Sequence, residues 1–148
     1  MRAGTKGWQA EFETELAKTS DMSRVHFMGR VDYATYRKVL QVSRTHCYLT
    51  YPFVLSWSML EAMSAGGHLV ASDTAPVQEV ITDGENGTLV DFFDTDQIAE
   101  TLIEALDNPE KFGSLRAAAR QTVVENYDLN TACLPKLVEL VEGMAGAA

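Results

Sequence analysis

The residues best suited to chemistry stand together in the run Thr50-Tyr51-Pro52-Phe53-Val54-Leu55-Ser56-Trp57-Ser58-Met59-Leu60-Glu61. A strand-like stretch ends there and a helical one begins. The amides of Leu55, Ser56, Trp57 and Ser58 therefore fall where a helix leaves its first N–H groups without intrahelical partners. Such a terminus, at the positive end of the helix dipole, can hold a diphosphate-sized anion without any basic side chain. Glu61, further along the same helix, can accept hydrogen bonds from two hydroxyls of a sugar ring. The same residues also fit plain architecture, because Ser58-Met59-Leu60-Glu61 has the S-x-x-E form of a capping box.

Other chemistry-bearing residues read as structural. His26, His46 and His68 fall in or beside strand-like segments, lack metal-ligand spacing and are expected to be packed or hydrogen-bonded. No metal site is expected. Cys47 and Cys133 form no CxxC pair and are expected as reduced, packed thiols. Trp8, Tyr33, Tyr36, Trp57 and Tyr127 recur at helical positions and are expected mostly in the core, while the acidic residues from Asp91 to Glu110 read as solvated helix faces and caps. Gly29 permits a tight exit from a strand.

The elements that must position these residues alternate along the chain. Trp8, Phe12 and Leu16 recur four apart, as on one face of a helix. Val25-His26-Phe27-Met28-Gly29 reads as a short strand, and Asp32 can cap a helix bearing Tyr33, Tyr36, Val39 and Leu40. His46 to Tyr51 follows as a strand with apolar residues in both parities, suited to a parallel sheet covered on both faces. A helix over about 56–64 ends at Gly66-Gly67, and His68-Leu69-Val70-Ala71-Ser72 is the next strand. Thr74 and Pro76 open a short helix to Ile81, Asp83-Gly84-Glu85-Asn86-Gly87 makes a turn, and Thr88-Leu89-Val90-Asp91 is a last strand. Ile98, Leu102, Ala105 and Leu106 line a helix, and the pattern stays helical beyond Pro109. Pro135 starts or kinks the last helix, which is expected to fray after Glu142.

Strands separated by helices at this spacing predict an α/β fold, a Rossmann-like doubly wound parallel sheet of about four strands with flanking helices. A length of 148 residues, with 46% hydrophobic and 22% charged content, suits one domain over 1–148 whose final part, 129–148, is a terminal helix and tail. No run reaches the roughly 20 apolar residues of a membrane span, and a basic-then-apolar leader is lacking, which predicts a soluble cytoplasmic protein. A net charge of −9 argues against nucleic acid or anionic lipid as partners, though a local pocket can still hold one nucleotide.

Five motifs in order, His26-Phe27-Met28-Gly29-Arg30-Val31, Met59-Leu60-Glu61-Ala62-Met63-Ser64-Ala65-Gly66, Val70-Ala71-Ser72-Asp73, Val77-Gln78-Glu79-Val80-Ile81 and Asp83-Gly84-Glu85-Asn86-Gly87, carry a resemblance over about residues 25–127. The sequence resembles the C-terminal, donor-binding domain of the family 4 glycosyltransferases of GT-B fold. The resemblance implies a nucleoside-diphosphate-sugar donor, no cofactor, an acceptor bound by a separate N-terminal domain, and transfer that retains anomeric configuration. The opening helix and small number of strands further suggest that the chain is cut short at its N-terminal side. Such a fragment is expected to be inactive alone and to self-associate through an open sheet edge.

Residue by residue, the resemblance implies that Glu61 is the second glutamate of the family's E-x7-E motif, which grips the donor ribose. Amides of Leu55, Ser56, Trp57 and Ser58 would face the diphosphate, and Gly29 and Val31 would lie beside the base. The first motif glutamate falls at Phe53, and Val54-Leu55-Ser56 replaces the usual small glycine-rich turn. The family's basic pair would precede Met1, so catalytic residues are not assigned. Glu79 is expected to satisfy backbone groups near a helix start. Two other functions fit the sequence: a nucleotide-binding or scaffold domain without transfer, and a flavodoxin-like regulatory domain with Asp73 as phosphoacceptor.

Overall fold

Three parallel strands, Thr45–Tyr48 (β1), His68–Ser72 (β2) and Thr88–Val90 (β3), form a sheet in the order β1-β2-β3 in a computed structural model that describes residues 7–51 and 54–146. Phe53 lies outside the described residues. The chain divides into two compact units, Met1–Thr35 and Tyr36–Ala148.

In the first unit, Trp8–Leu16 forms α1, and Trp8 and Phe12 stack on each other at 6.3 Å while staying exposed. Asp21 opens a 3-10 turn over Met22–Arg24 by accepting from the Ser23 amide. The expected strand over Val25–Met28 does not form: Val25 is extended, but none of these residues enters a ladder. An extended segment becomes a strand only with a hydrogen-bonding neighbour. His26 is exposed, against the expectation of a packed residue. Asp32 caps α2 (Tyr33–Val42) as expected, accepting from the amide and hydroxyl of Thr35, both at 2.9 Å. These two bonds hold its carboxyl below the usual range.

In the second unit, α3 (Trp57–Ser64) joins β1 to β2, and α4 (Ala75–Gln78) joins β2 to β3. After β3 come α5 (Thr95–Asp107), α6 (Gly113–Tyr127) and α7 (Leu134–Ala145). Every residue of β2 is buried. Leu69 and Ala71 share a core with Met59, Ala62 and Met63 of α3, Val77 of α4, Val80, Ile81 and Ala119 of α6. Helix α5 packs on all three strands and buries Ala105. Helices thus cover both faces, and the expected doubly wound α/β architecture is present with three strands.

The both-face burial expected for 46–51 belongs instead to β2. Strand β1 ends at Tyr48 and leaves Cys47 exposed, and Cys133 is exposed as well, so neither thiol is packed. Of the aromatic set expected in the core, only Tyr36 packs against it; Trp8, Tyr33, Trp57 and Tyr127 are exposed. Pro135 lies in the first turn of α7, after a π-type turn over Leu129–Cys133, and α7 continues past Glu142 to Ala145.

Two motif segments prove architectural. In the turn after α4, buried Asn86 accepts from the Thr82 amide at 2.8 Å and donates to Val80 O at 2.9 Å and to the Thr122 hydroxyl of α6 at 3.1 Å. Gly84 has a φ of 72°, a conformation that favours glycine. A Cβ on Gly87 would stand 2.9 Å from Ile81 Cγ2. Glu79, at the C-terminal end of α4 and exposed, cannot cap that helix's start as expected.

His68 is 2% exposed, stacks on Phe112 at 4.2 Å between centroids, and has Nε2 2.9 Å from the Thr88 hydroxyl. Its Nδ1 has no partner among the described residues. Burial, followed by the nearby Arg116 charge, lowers its pKa from 6.5 to about 4. The folded state therefore resists protonation that the unfolded chain accepts, so stability is complete above pH 6.5 and falls as pH drops toward 4, by on the order of 3 kcal/mol. Urea melts across that window should show the loss in the wild type and a much flatter profile in His68→Gln. Equal slopes would show that His68 is not the titrating group.

Candidate functional site

In a parallel sheet all the strands' carboxyl ends open on one edge, where connections enter helices and ligands bind. The connection from β1 to α3 is built there by long-range bonds. Thr50 and Ser72 extend the pairing of β1 with β2: the buried Ser72 hydroxyl donates to Thr50 O at 2.8 Å and accepts from the Thr50 amide at 3.0 Å. The buried Tyr48 hydroxyl accepts from the Ser56 amide at 2.9 Å. Sequence inspection does not find this strut, because its partners are eight residues apart across a loop.

Ser56 is the N-cap of α3. Its Oγ accepts from the Ser58 amide at 3.3 Å and lies 3.0 Å from Ser58 Oγ. The capping-box alternative for Ser58-Met59-Leu60-Glu61 is thereby excluded, since Ser58 is the second residue of the helix and Glu61 the fifth. Of the amides expected to face an anion, those of Ser56 and Ser58 already have protein acceptors. Leu55 is half-buried against the core, and Trp57, at the first helical position, is 82% exposed.

Met59, Ala62 and Met63 turn into the core. Glu61, two residues from Met59 and so about 200° around the helix, lies on the other side and is half-buried. Trp57 and Glu61, four apart, share that outer face.

The far end of α3 is equally constrained. Gly66, at φ 78°, ends it, with the Gly66 amide on Met63 O at 2.9 Å and the Gly67 amide on Ala62 O at 3.0 Å, the paired bonds of a Schellman motif. From α6, Arg116 Nε donates to Gly66 O at 2.8 Å and Arg120 to Ser64 O. Two guanidinium groups thus sit at the negative end of the α3 dipole.

The second unit brings together Leu55, Ser56, Trp57, Ser58 and Glu61. Gly29 and Val31 belong to the first unit. There Gly29 takes a φ of 58° with open space where a Cβ would stand, so backbone conformation rather than packing favours glycine. Among the described residues no cluster of His, Cys, Asp and Glu could hold a metal ion, and no helix is long and apolar enough to cross a membrane.

The profile of a family described as "Glycosyl transferases group 1" matches residues 3–122. The phosphatidyl-myo-inositol mannosyltransferase of Mycolicibacterium smegmatis is 29% identical over 124 residues, which are 80% of this chain and 31% of that protein. The structure of HepE from Anabaena in complex with UDP superposes with a TM-score of 0.75 at 17% identity, covering 94% of this chain and 37% of HepE. The C-terminal domain of the group 1 glycosyl transferase LpcC from Francisella tularensis gives 0.75 at 19% identity, covering 83% of this chain and 64% of that one. This chain spans about a third of the length of the mannosyltransferase and of HepE.

The strut and the cap make separable predictions. Tyr48→Phe leaves the Ser56 amide without its acceptor and should destabilise by about 1–2 kcal/mol. Ser56→Ala removes the cap and should cost about 1 kcal/mol. Both are read from urea midpoints; a Tyr48→Phe midpoint equal to that of the wild type would show that water replaces the phenol.

Proposed function

We propose, since the chain belongs to the glycosyl transferases group 1 family, that it is the nucleotide-sugar-binding half of a retaining glycosyltransferase of GT-B type. The observation that carries this reading is the start of α3, which leaves the carboxyl edge of a parallel sheet with its N-terminus capped by a neutral serine and Glu61 on its outer face. A diphosphate would meet the first turn through amides, chiefly those of Leu55 and Trp57, since the Ser56 and Ser58 amides are engaged. The hydroxyls of Ser56 and Ser58 can rotate to donate to the same anion. Glu61 would accept from the two ribose hydroxyls in charge-assisted bonds. A helix dipole aligned with the diphosphate, and backed by Arg116 and Arg120 at its other end, supplies positive potential in a chain of net charge −9.

HepE was solved with UDP, and the mycobacterial relative is named for mannosyl transfer to a phosphatidylinositol. The first supports a nucleoside diphosphate as the ligand class and the second transfer of a sugar. The acceptor would be held by a second domain, and transfer would require both. A second reading, nucleotide binding without transfer, is favoured by Phe53, which stands where the family's first motif carboxylate is expected.

Glu61 is the test. Replacing its carboxylate by an amide leaves one acceptor oxygen and adds a donor, so Glu61→Gln should weaken nucleoside diphosphate binding by roughly 1.5–3 kcal/mol, or about 10- to 150-fold. Calorimetric titration with uridine, guanosine and adenosine diphosphates reads this directly, with melting curves to confirm that each variant is folded. Ser56→Ala is the control, expected to lose stability with a smaller change in affinity. Undiminished binding by Glu61→Gln would remove Glu61 from the site, and absence of binding by the wild type would count against the donor-binding assignment itself.

A further inference from the structure

Trp57, the first residue of α3, is the most exposed large apolar side chain among the described residues, at 82%. Trp8, Tyr51 and Phe93, also exposed, each lie against another ring. The Trp57 ring meets no other ring and its N–H no acceptor among the described residues. Nor does folding call for an indole there, since the inner face of α3 is made by Met59, Ala62 and Met63. A residue of this size, turned to solvent beside a capped helix start, presents two free aromatic faces.

Its position relative to the proposed ligand contacts is set within one helix that is held at both ends. Trp57 and Glu61, four apart, stand on the same outer face with roughly 5–6 Å between their Cβ atoms. A donor with its ribose on Glu61 and its diphosphate on the first-turn amides runs along α3 from the fifth residue toward the N-terminus. The base leaves the ribose on the side away from the diphosphate, and so away from Trp57. The sugar, bound to the far phosphate, falls beyond the first turn. Helix side chains lean toward the N-terminus, so the indole of the first helical residue extends to that same place. The electron-rich face of the ring suits the C–H bonds on one face of a pyranose.

We propose that Trp57 is the residue by which this site distinguishes a nucleotide-sugar from a free nucleoside diphosphate, its indole stacking on the apolar face of the donor sugar. The inference rests on the donor-site reading above. It adds a contact that only the sugar makes, whereas Glu61 and the first-turn amides hold the nucleotide.

The test is calorimetric titration of the 148-residue chain with UDP against UDP-glucose and GDP against GDP-mannose, on the wild type, Trp57→Ala and Trp57→Phe. Trp57→Ala should bind the sugar conjugate roughly 3- to 10-fold more weakly, while its affinity for the matching diphosphate changes by less than about 2-fold. Trp57→Phe, which keeps a ring, should recover part of the loss, and melting curves should show all three chains equally folded. The chain has two tryptophans, so in a Trp8→Phe background Trp57 alone reports by fluorescence. Its emission should respond to the sugar conjugate more strongly than to the diphosphate. Equal losses for the diphosphate and its conjugate would mean that the indole meets the nucleotide, and unchanged affinity for both would mean that it meets neither. Either outcome overturns the sugar contact and leaves the donor site standing. If the wild type binds none of the four ligands, the donor site and the sugar contact fall together.

Discussion

The second unit depends on the complete burial of β2 between two parallel neighbours. A central strand with every side chain covered must satisfy its polar members inside the protein. Ser72 does so by exchanging two hydrogen bonds with Thr50; His68 does so only through Nε2, which meets Thr88, while its ring stacks on Phe112 and Nδ1 has no partner among the described residues. The first contact continues the β1–β2 pairing beyond the end of the ladder, at the edge where the candidate site lies. The second ties β2 to β3 and to the turn before α6 at the opposite end. The polar residues of this strand thus fix both ends of the sheet, while Leu69 and Ala71 fill the core between them.

Helix α3 shows how that frame becomes a site. Its inner face is fixed by Met59, Ala62 and Met63, its start by Tyr48 and Ser56, and its end by the Schellman turn and the two α6 arginines. A short helix has little stability of its own, so these tertiary contacts determine its position. The consequence is a rigid N-terminus whose dipole direction is set by the sheet and whose outer face presents Trp57 and Glu61. Preorganisation of this kind would lower the entropy lost by any ligand that binds there.

Much of this was legible in the sequence, but only where local rules and tertiary packing agree. The β2 strand, its glycine entry and α3 were readable because a buried apolar run follows a helix-ending Gly66-Gly67. Val25–Met28 carried the same extended character without a pairing partner, and pairing is not a local property. The helix over about 56–64 was read correctly, but whether Ser56 or Ser58 caps it was left open, because the two are equally good caps in sequence and the Tyr48 hydroxyl that holds the Ser56 amide comes from a distant strand. Aromatic spacing marked helices but not their covered faces, as exposed Trp57 and Tyr33 show. Exposed Cys47 marks an edge strand, a status that depends on sheet order rather than on residue type.

The motifs that reveal the family and the residues that would bind its donor are largely different sets. Asn86 is held by three hydrogen bonds, Gly84 by a left-handed backbone, and Gly87 by the Ile81 side chain against which any Cβ would collide. Those constraints belong to the closure between α4, β3 and α6, well after the connection that leads into α3. A chain can therefore keep this turn for folding whatever residues stand at the candidate binding edge. Family membership consequently speaks most directly to the frame. The proposed donor chemistry would depend instead on a few groups of one helix, its first amides and, on its outer face, the single carboxylate of Glu61.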